Sequence, residues 1–155
     1  LHYSLRKMKM RHIKKYLVLL IIGGNLYYIL EVLWRGYSHF TMFMLGGICF
    51  ILVGLINEIS ITSNMPLIIQ QFIAAIIITS LELVFGLVFN IWLGLNIWDY
   101  SSLRFNFMGQ ICLMFSILWF FLSLPAILLD DYLRYWIFGE EKPEYRYIGF
   151  NRRRV

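Results

Sequence analysis

Apolar residues run in four long blocks along this 155-residue chain: 13–34, 40–59, 66–93 and 107–129. Each block reaches the roughly 20 residues that a helix needs to cross about 30 Å of hydrocarbon. Strands of a membrane barrel would alternate in and out over about 10 residues. These runs are continuous instead, and within lipid a helix satisfies its own backbone groups. The pattern predicts an all-α integral membrane protein with four transmembrane helices. The third block is longer than the hydrocarbon requires, so its helix tilts or extends past the surface. Asn64 is a suitable N-cap for it, and Pro66 suits its first turn.

After the fourth block, Leu128–Phe138 alternates apolar and polar positions at helical spacing. It reads as an amphipathic interfacial helix ended by Gly139, with Pro143 preventing continuation. Asn151–Val155 reads as a basic, irregular end. The first block follows a basic stretch as in a signal peptide, but it is too long and lacks a small-residue cleavage site, so a retained signal anchor is expected. The chain opens on Leu1, which makes Met8 and Met10 candidate starts.

Composition strengthens this picture. Hydrophobic residues make up 60% and charged residues 15%, with a mean hydropathy of +0.69. Soluble domains average about half apolar and a quarter charged, and a globule of this length has too little interior to bury the excess. A soluble enzyme, a disordered tail, a disulfide scaffold and a nucleic-acid module are excluded. Two cysteines, Cys49 and Cys112, lie inside apolar runs as small buried hydrophobes. Two thiols alone make a poor metal site, so no metal and no cofactor are expected.

The net charge of +5 is placed, not spread. Residues 1–15 carry Arg6, Lys7, Lys9, Arg11, Lys14 and Lys15, and the tail from Asp130 carries Arg134, Lys142, Arg146, Arg152, Arg153 and Arg154. Four crossings put both ends on one side, and the positive-inside rule makes that side the cytoplasm. The organisation is a basic cytoplasmic N-terminus over 1–12, a transmembrane domain over 13–129 and a cytoplasmic tail over 130–155. The basic ends suit anionic lipid rather than nucleic acid. Tyr27, Tyr28, Trp34 and Tyr37, then Trp92, Trp98 and Tyr100, fall where helices should leave the outer face. Tyr132, Tyr135 and Trp136 fall at the inner face, as an aromatic belt requires.

The two halves echo each other. Glu31-Val32-Leu33 matches Glu82-Leu83-Val84, and Gly46-Gly47-Ile48-Cys49-Phe50 matches Gly109-Gln110-Ile111-Cys112-Leu113. Two repeated, parallel helical hairpins are one reading of this echo.

Acids inside apolar blocks are the candidate chemistry, because a charge near the bilayer centre costs roughly 2.5–3.5 kcal/mol on insertion scales. Glu58, near an inner end, can reach the headgroups. Glu31 stands four residues before Arg35, the spacing of a local ion pair. Glu82 precedes Trp92 by about ten residues, hence roughly 15 Å below the outer end, too deep to escape along its own helix. Ala75, Thr79, Glu82, Gly86 and Asn90 recur at helical spacing on one face. Glu82, Asn90, Glu31 and Thr79 therefore form a candidate intramembrane polar site for a cation, a proton or part of a substrate path. A protonated Glu82 hydrogen-bonded to a neighbouring helix would leave the same stripe. Gly47, Gly54, Gly86, Gly109 and Ser116 are expected at helix contacts. In the 94–106 loop, Asp99 can accept from Ser101 or Ser102 in an Asx turn. Trp98 and Tyr100 would seat that turn on the membrane surface, and Arg104 is a countercharge for Asp99. No Walker A, HExxH or GxSxG sequence is present, so no enzyme activity is expected and any energy-coupling ATPase must be another chain.

The run from Glu82 to Trp119 resembles the second half of the small ABC-transporter permease family of Firmicutes, and the likeness spans about residues 25–140. It rests on Glu82, on Trp98-Asp99-Tyr100-Ser101, on Asn106, on Gly109-Gln110-Ile111-Cys112-Leu113 and on Trp119, with Glu31 also fitting. The chain departs from the family after Glu31, where Tyr37-Ser38-His39-Phe40 replaces Asn-Arg-Gly and Gly-Pro-x-x-Pro patterns. The resemblance implies a transporter-type multi-pass membrane subunit and specifies no substrate. A four-helix protomer has little room for a private pathway, so a homo-oligomer or another membrane subunit is expected, with a separate ATPase. A membrane scaffold, regulatory or assembly protein is the alternative, and a holin-like pore ranks below it.

Overall fold

The computed structural model describes residues 2–59 and 65–148, with side chains from residue 12 onward. The Asn64 cap, the cations of residues 6–11 and the basic end at 151–155 lie outside these described residues and side chains. The elements are α1 (His2–Arg35), α2 (Phe40–Glu58), α3 (Leu67–Phe85) with a π-helical continuation over Gly86–Trp92, a hairpin of β1 (Asn106–Phe107) and β2 (Ile111–Cys112), and α4 (Leu113–Phe138). Among the described residues, four spans are long and apolar enough to cross a membrane: His12–Arg35, Phe40–Glu58, Leu67–Trp92 and Leu113–Phe138.

Helices α1 and α2 form the closest pair. The His39 ring caps α2 by accepting from the Thr41 N–H at 3.2 Å. Small residues then let the two backbones approach: a Cβ at Gly47 would stand 2.6 Å from the Leu20 carbonyl oxygen. Helix α3 packs on α2 and α4. One core gathers Met42, Leu45 and Cys49 with Ile97 and Trp98, and a second joins Val53, Ile56, Leu67, Ala74 and Ile127.

Two boundaries differ from the expected ones. The fourth helix starts at Leu113, not 107, because Asn106–Cys112 is a β-hairpin with Asn106 opposite Cys112. Ser116, in the first turn of α4, meets Thr79 of α3 at 3.1 Å. Residues 94–112 fold back over the outer part of the α3 span, where Asn90 bonds to Ile97, Trp98 and Gln110. The expected separate interfacial helix at 128–138 is the last part of α4, which runs through Pro125 to an αL cap at Gly139. Its polar residues Asp130 and Arg134 are buried and not headgroup-facing. The tail then returns: the Leu67 and Ile68 N–H groups donate to the Arg146 and Tyr147 carbonyls, supplying acceptors to the free first turn of α3.

The echo between the halves does not carry over to matching places. Gly46–Phe50 lies within α2, whereas Gly109–Leu113 spans the hairpin turn and the first residue of α4.

Candidate functional site in the membrane domain

Glu82 is 1% exposed. Its two carboxylate oxygens accept from different elements, Oε1 from the Tyr100 hydroxyl at 2.8 Å and Oε2 from Trp119 Nε1 at 3.0 Å. Aromatic rings complete the surround. Tyr100 stacks on Phe115 with centroids 4.7 Å apart, and Trp119 lies 5.9 Å from Tyr27. Burial, with the Glu82 carboxylate beside it, pushes the Tyr100 hydroxyl well above its ordinary value, so this group donates at any working pH. Beside Glu82, Thr79 donates to Ser116, which donates to the Cys112 carbonyl.

Asn90 lies toward the outer end on the same face of α3. The π-helical turn carries it, and such turns alter the hydrogen-bond ladder where a side chain is to be re-aimed. Asn90 Nδ2 donates to the Trp98 carbonyl at 3.0 Å and to Gln110 Oε1 at 2.8 Å, while Oδ1 accepts from the Ile97 N–H at 2.6 Å. Trp98 Nε1 in turn donates to the Gln110 carbonyl at 2.9 Å. Gly86 makes room: a Cβ there would meet Gln110 Oε1 at 2.6 Å.

The loop is wired internally by the same kind of contact. The backbone N–H and the hydroxyl of Ser101 both donate to Asp99 Oδ1, at 2.8 and 2.5 Å. These bonds hold the Asp99 carboxyl below the usual carboxylate range. Asn106 donates to the Leu103 carbonyl and accepts from the Gly109 N–H, and the Tyr100 N–H donates to the Gly109 carbonyl. Gly109 has φ +68° and faces Asp99 and Ser101 too closely for a side chain, so it serves the turn rather than the helix contact expected of it. From α1, Arg35 donates to the Ile97 carbonyl at 2.8 Å and pairs with Glu31 at 2.6 Å.

A family model described as "Putative ABC-transporter type IV" matches residues 16–140. The chain belongs to that family. No curated protein and no solved structure matches it. Membership and the four apolar spans make this a membrane protein of transporter type.

Within this type IV chain, the residues expected to act together divide into three groups. Glu82 and Asn90 are buried, and Thr79 half-buried, on one face. Trp98 and Tyr100 fold back onto that face, while Asp99 and Ser101 are exposed and Asn106 is half-buried within the loop's own turn. Trp98 is 7% exposed and Tyr100 is half-buried, so neither seats the turn on the membrane surface as expected. Glu31 stays at the outer end with Arg35 and Ser38, and among the described residues no hydrogen bond joins it to Glu82. Nor does an ion pair join Arg104 to Asp99 there. Gly47 faces α1, Gly54 faces Asp130 of α4, and Gly86 faces the loop, not a helix.

A second polar cluster at the opposite end was missed. Lys15 pairs with Glu58 and Glu140, each at 2.5 Å. Arg134 pairs with Glu58 and, at 2.5 Å, with Asp130. Asp131 accepts from Asn57 at 2.6 Å and from Tyr145 at 2.8 Å. The four-residue spacing of Asp130 and Arg134 was the available signal, and the interfacial reading of that segment hid it. Gln110 lies in the hairpin turn, not in the helix that the apolar run predicts there. Among the described residues, no His, Cys, Asp and Glu group could hold a metal ion, and Cys49 and Cys112 are free.

Proposed function

We propose that this chain is the permease-type membrane subunit of a transport system in a bacterial plasma membrane, with both termini cytoplasmic. These 155 residues hold no Walker A motif, and the ATP hydrolysis is assigned to an ATPase that lies outside them. The observation that carries the reading is the carboxylate of Glu82, buried within a membrane span beneath a loop that reaches it with one hydroxyl. An intramembrane acid that faces protein is a marker of ion and substrate paths. Residues 94–112 act as the outer gate. When they move away, Glu82 loses the Tyr100 donor and Asn90 loses three partners, and both become available to polar groups of a substrate. One protomer has little room for a whole route, so the chain works as a homo-oligomer or beside another membrane subunit.

A non-transport assembly or scaffold protein is the second reading. It is favoured by one observation: both oxygens of Glu82 already have donors. The test is purification of the affinity-tagged chain from its native membrane. Transport predicts a co-purifying ATP-binding-cassette ATPase in fixed ratio, whose ATP hydrolysis falls at least severalfold when Glu82→Gln is introduced without loss of assembly. A chain that purifies without any ATPase, or hydrolysis indifferent to Glu82→Gln, would sink the transport reading and leave the scaffold.

A further inference from the structure

Asn25 lies near the middle of the first span, His12–Arg35, and its side chain is exposed on the outside of the bundle. Its Nδ2 donates only to the Ile21 carbonyl, 2.8 Å away, an oxygen that the helix ladder already uses. Among the described residues nothing donates to Asn25 Oδ1. Lipid tails offer that oxygen no donor, and polar groups within hydrocarbon are expensive unless another helix meets them.

The surroundings of Asn25 favour a partner helix. Val18, Ile21, Asn25, Tyr28 and Val32 are spaced by alternating steps of three and four, which is the seam of a left-handed helix pair. Ile21 and Tyr28 on this seam are 45% and 36% exposed. A groove of about 340 Å³ opens beside Asn25, walled by Tyr28, Phe40 and Phe43, which is room for one large side chain.

We propose that α1 forms a parallel homodimer along this seam, with Asn25 of one copy hydrogen-bonded to the partner's Asn25. The occupant is a second copy for two reasons. Chains inserted the same way carry Asn25 at the same depth, so a two-fold axis along the membrane normal brings the two together. A carboxamide is also both donor and acceptor, so the pair closes reciprocally. An unrelated subunit would need its own polar group at that depth. A single Asn in an otherwise apolar seam is a known device for fixing register. The proposal rests on the membrane-spanning reading of α1 and specifies the oligomer suggested above, but it does not depend on transport.

The test is oxidative cross-linking, in membranes, of variants of the full chain that each carry one added cysteine. Ile21→Cys and Tyr28→Cys, which leave Asn25 in place, should each give a product of twice the chain mass. Leu30→Cys, on another exposed face, should not, and the parent chain, whose two cysteines are buried, gives the background. In detergent, light scattering should show Asn25→Leu weakening the dimer by roughly tenfold, with Asn25→Gln retaining most of it. Cross-linking no stronger at Ile21→Cys and Tyr28→Cys, which keep Asn25, than at Leu30→Cys, a product of any other mass, or a dimer unmoved by Asn25→Leu would overturn the proposal. Because the ATPase assay scores a different chain, the dimer and the transport reading fail separately.

Discussion

The Tyr100 hydroxyl donates to Glu82 across a sequence separation of 18 residues, and this bond ties the returning loop to the membrane helix beneath it. Tyr100→Phe keeps the ring stacked on Phe115 and removes only the donor. Leaving one oxygen of a buried carboxylate unpartnered should cost about 1–3 kcal/mol. Amide hydrogen exchange in detergent should then quicken across residues 97–110 and stay unchanged at the centres of α1 and α2. Exchange that rises everywhere, or nowhere, would show that this bond does not hold the loop.

The pair at the other end makes a different prediction. Asp130 is fully buried against Arg134. Arg134→Met alone should destabilise the protein by about 3–5 kcal/mol, because it leaves an uncompensated buried carboxylate. Adding Asp130→Leu should recover most of that loss, since the second change removes the stranded charge. Thermal unfolding of both variants in the same micelles is the check, and equal stabilities for the single and double variants would count against it.

Gly54 is a third point of leverage. A Cβ there would collide with the Asp130 carboxylate, which is held by Arg134 and cannot swing away cheaply. Gly54→Ala should therefore lower stability by about 1–3 kcal/mol, the usual cost of overpacking. The lipid-facing Leu33→Ala should change little in the same melting experiment.

Acid should loosen the loop in a defined direction. Asp99 is held below its ordinary range mainly by the Ser101 hydroxyl and then by the Ser101 N–H. The ionised form is favoured in the folded loop, so its contribution is present above the ordinary carboxyl value and is lost as pH falls through the lowered one. Ser101→Ala should move the Asp99 titration back up toward the ordinary value, as followed by carboxyl-carbon NMR. An unmoved titration would mean that the hydroxyl is not the cause.

The helices are legible from the chain because each apolar block is long and bounded by polar residues, and the face shared by Thr79, Glu82 and Asn90 follows from helical spacing alone. The return of the loop was not legible. Trp98 and Tyr100 are the residue types that favour a membrane surface, and only their hydrogen bonds to Gln110 and Glu82 distinguish a packed loop from a surface one. Gly109 and Gln110 were read as helical because an apolar run carries no local mark of where its helix starts. The inner cluster stayed hidden for another reason. Lys15, Glu58 and Glu140 are far apart in sequence, and charged residues near helix ends are ordinarily solvated.

The tail's bonds to α3 bear on how the chain is made. Leu67 and Ile68 leave the ribosome well before Arg146 and Tyr147, whose carbonyls receive their N–H groups. Until those residues are synthesised, the first turn of α3 must satisfy its donors elsewhere. Assembly of this end is therefore completed late in translation, and a product stopped before residue 146 would carry all four membrane spans yet lack the segment that closes them.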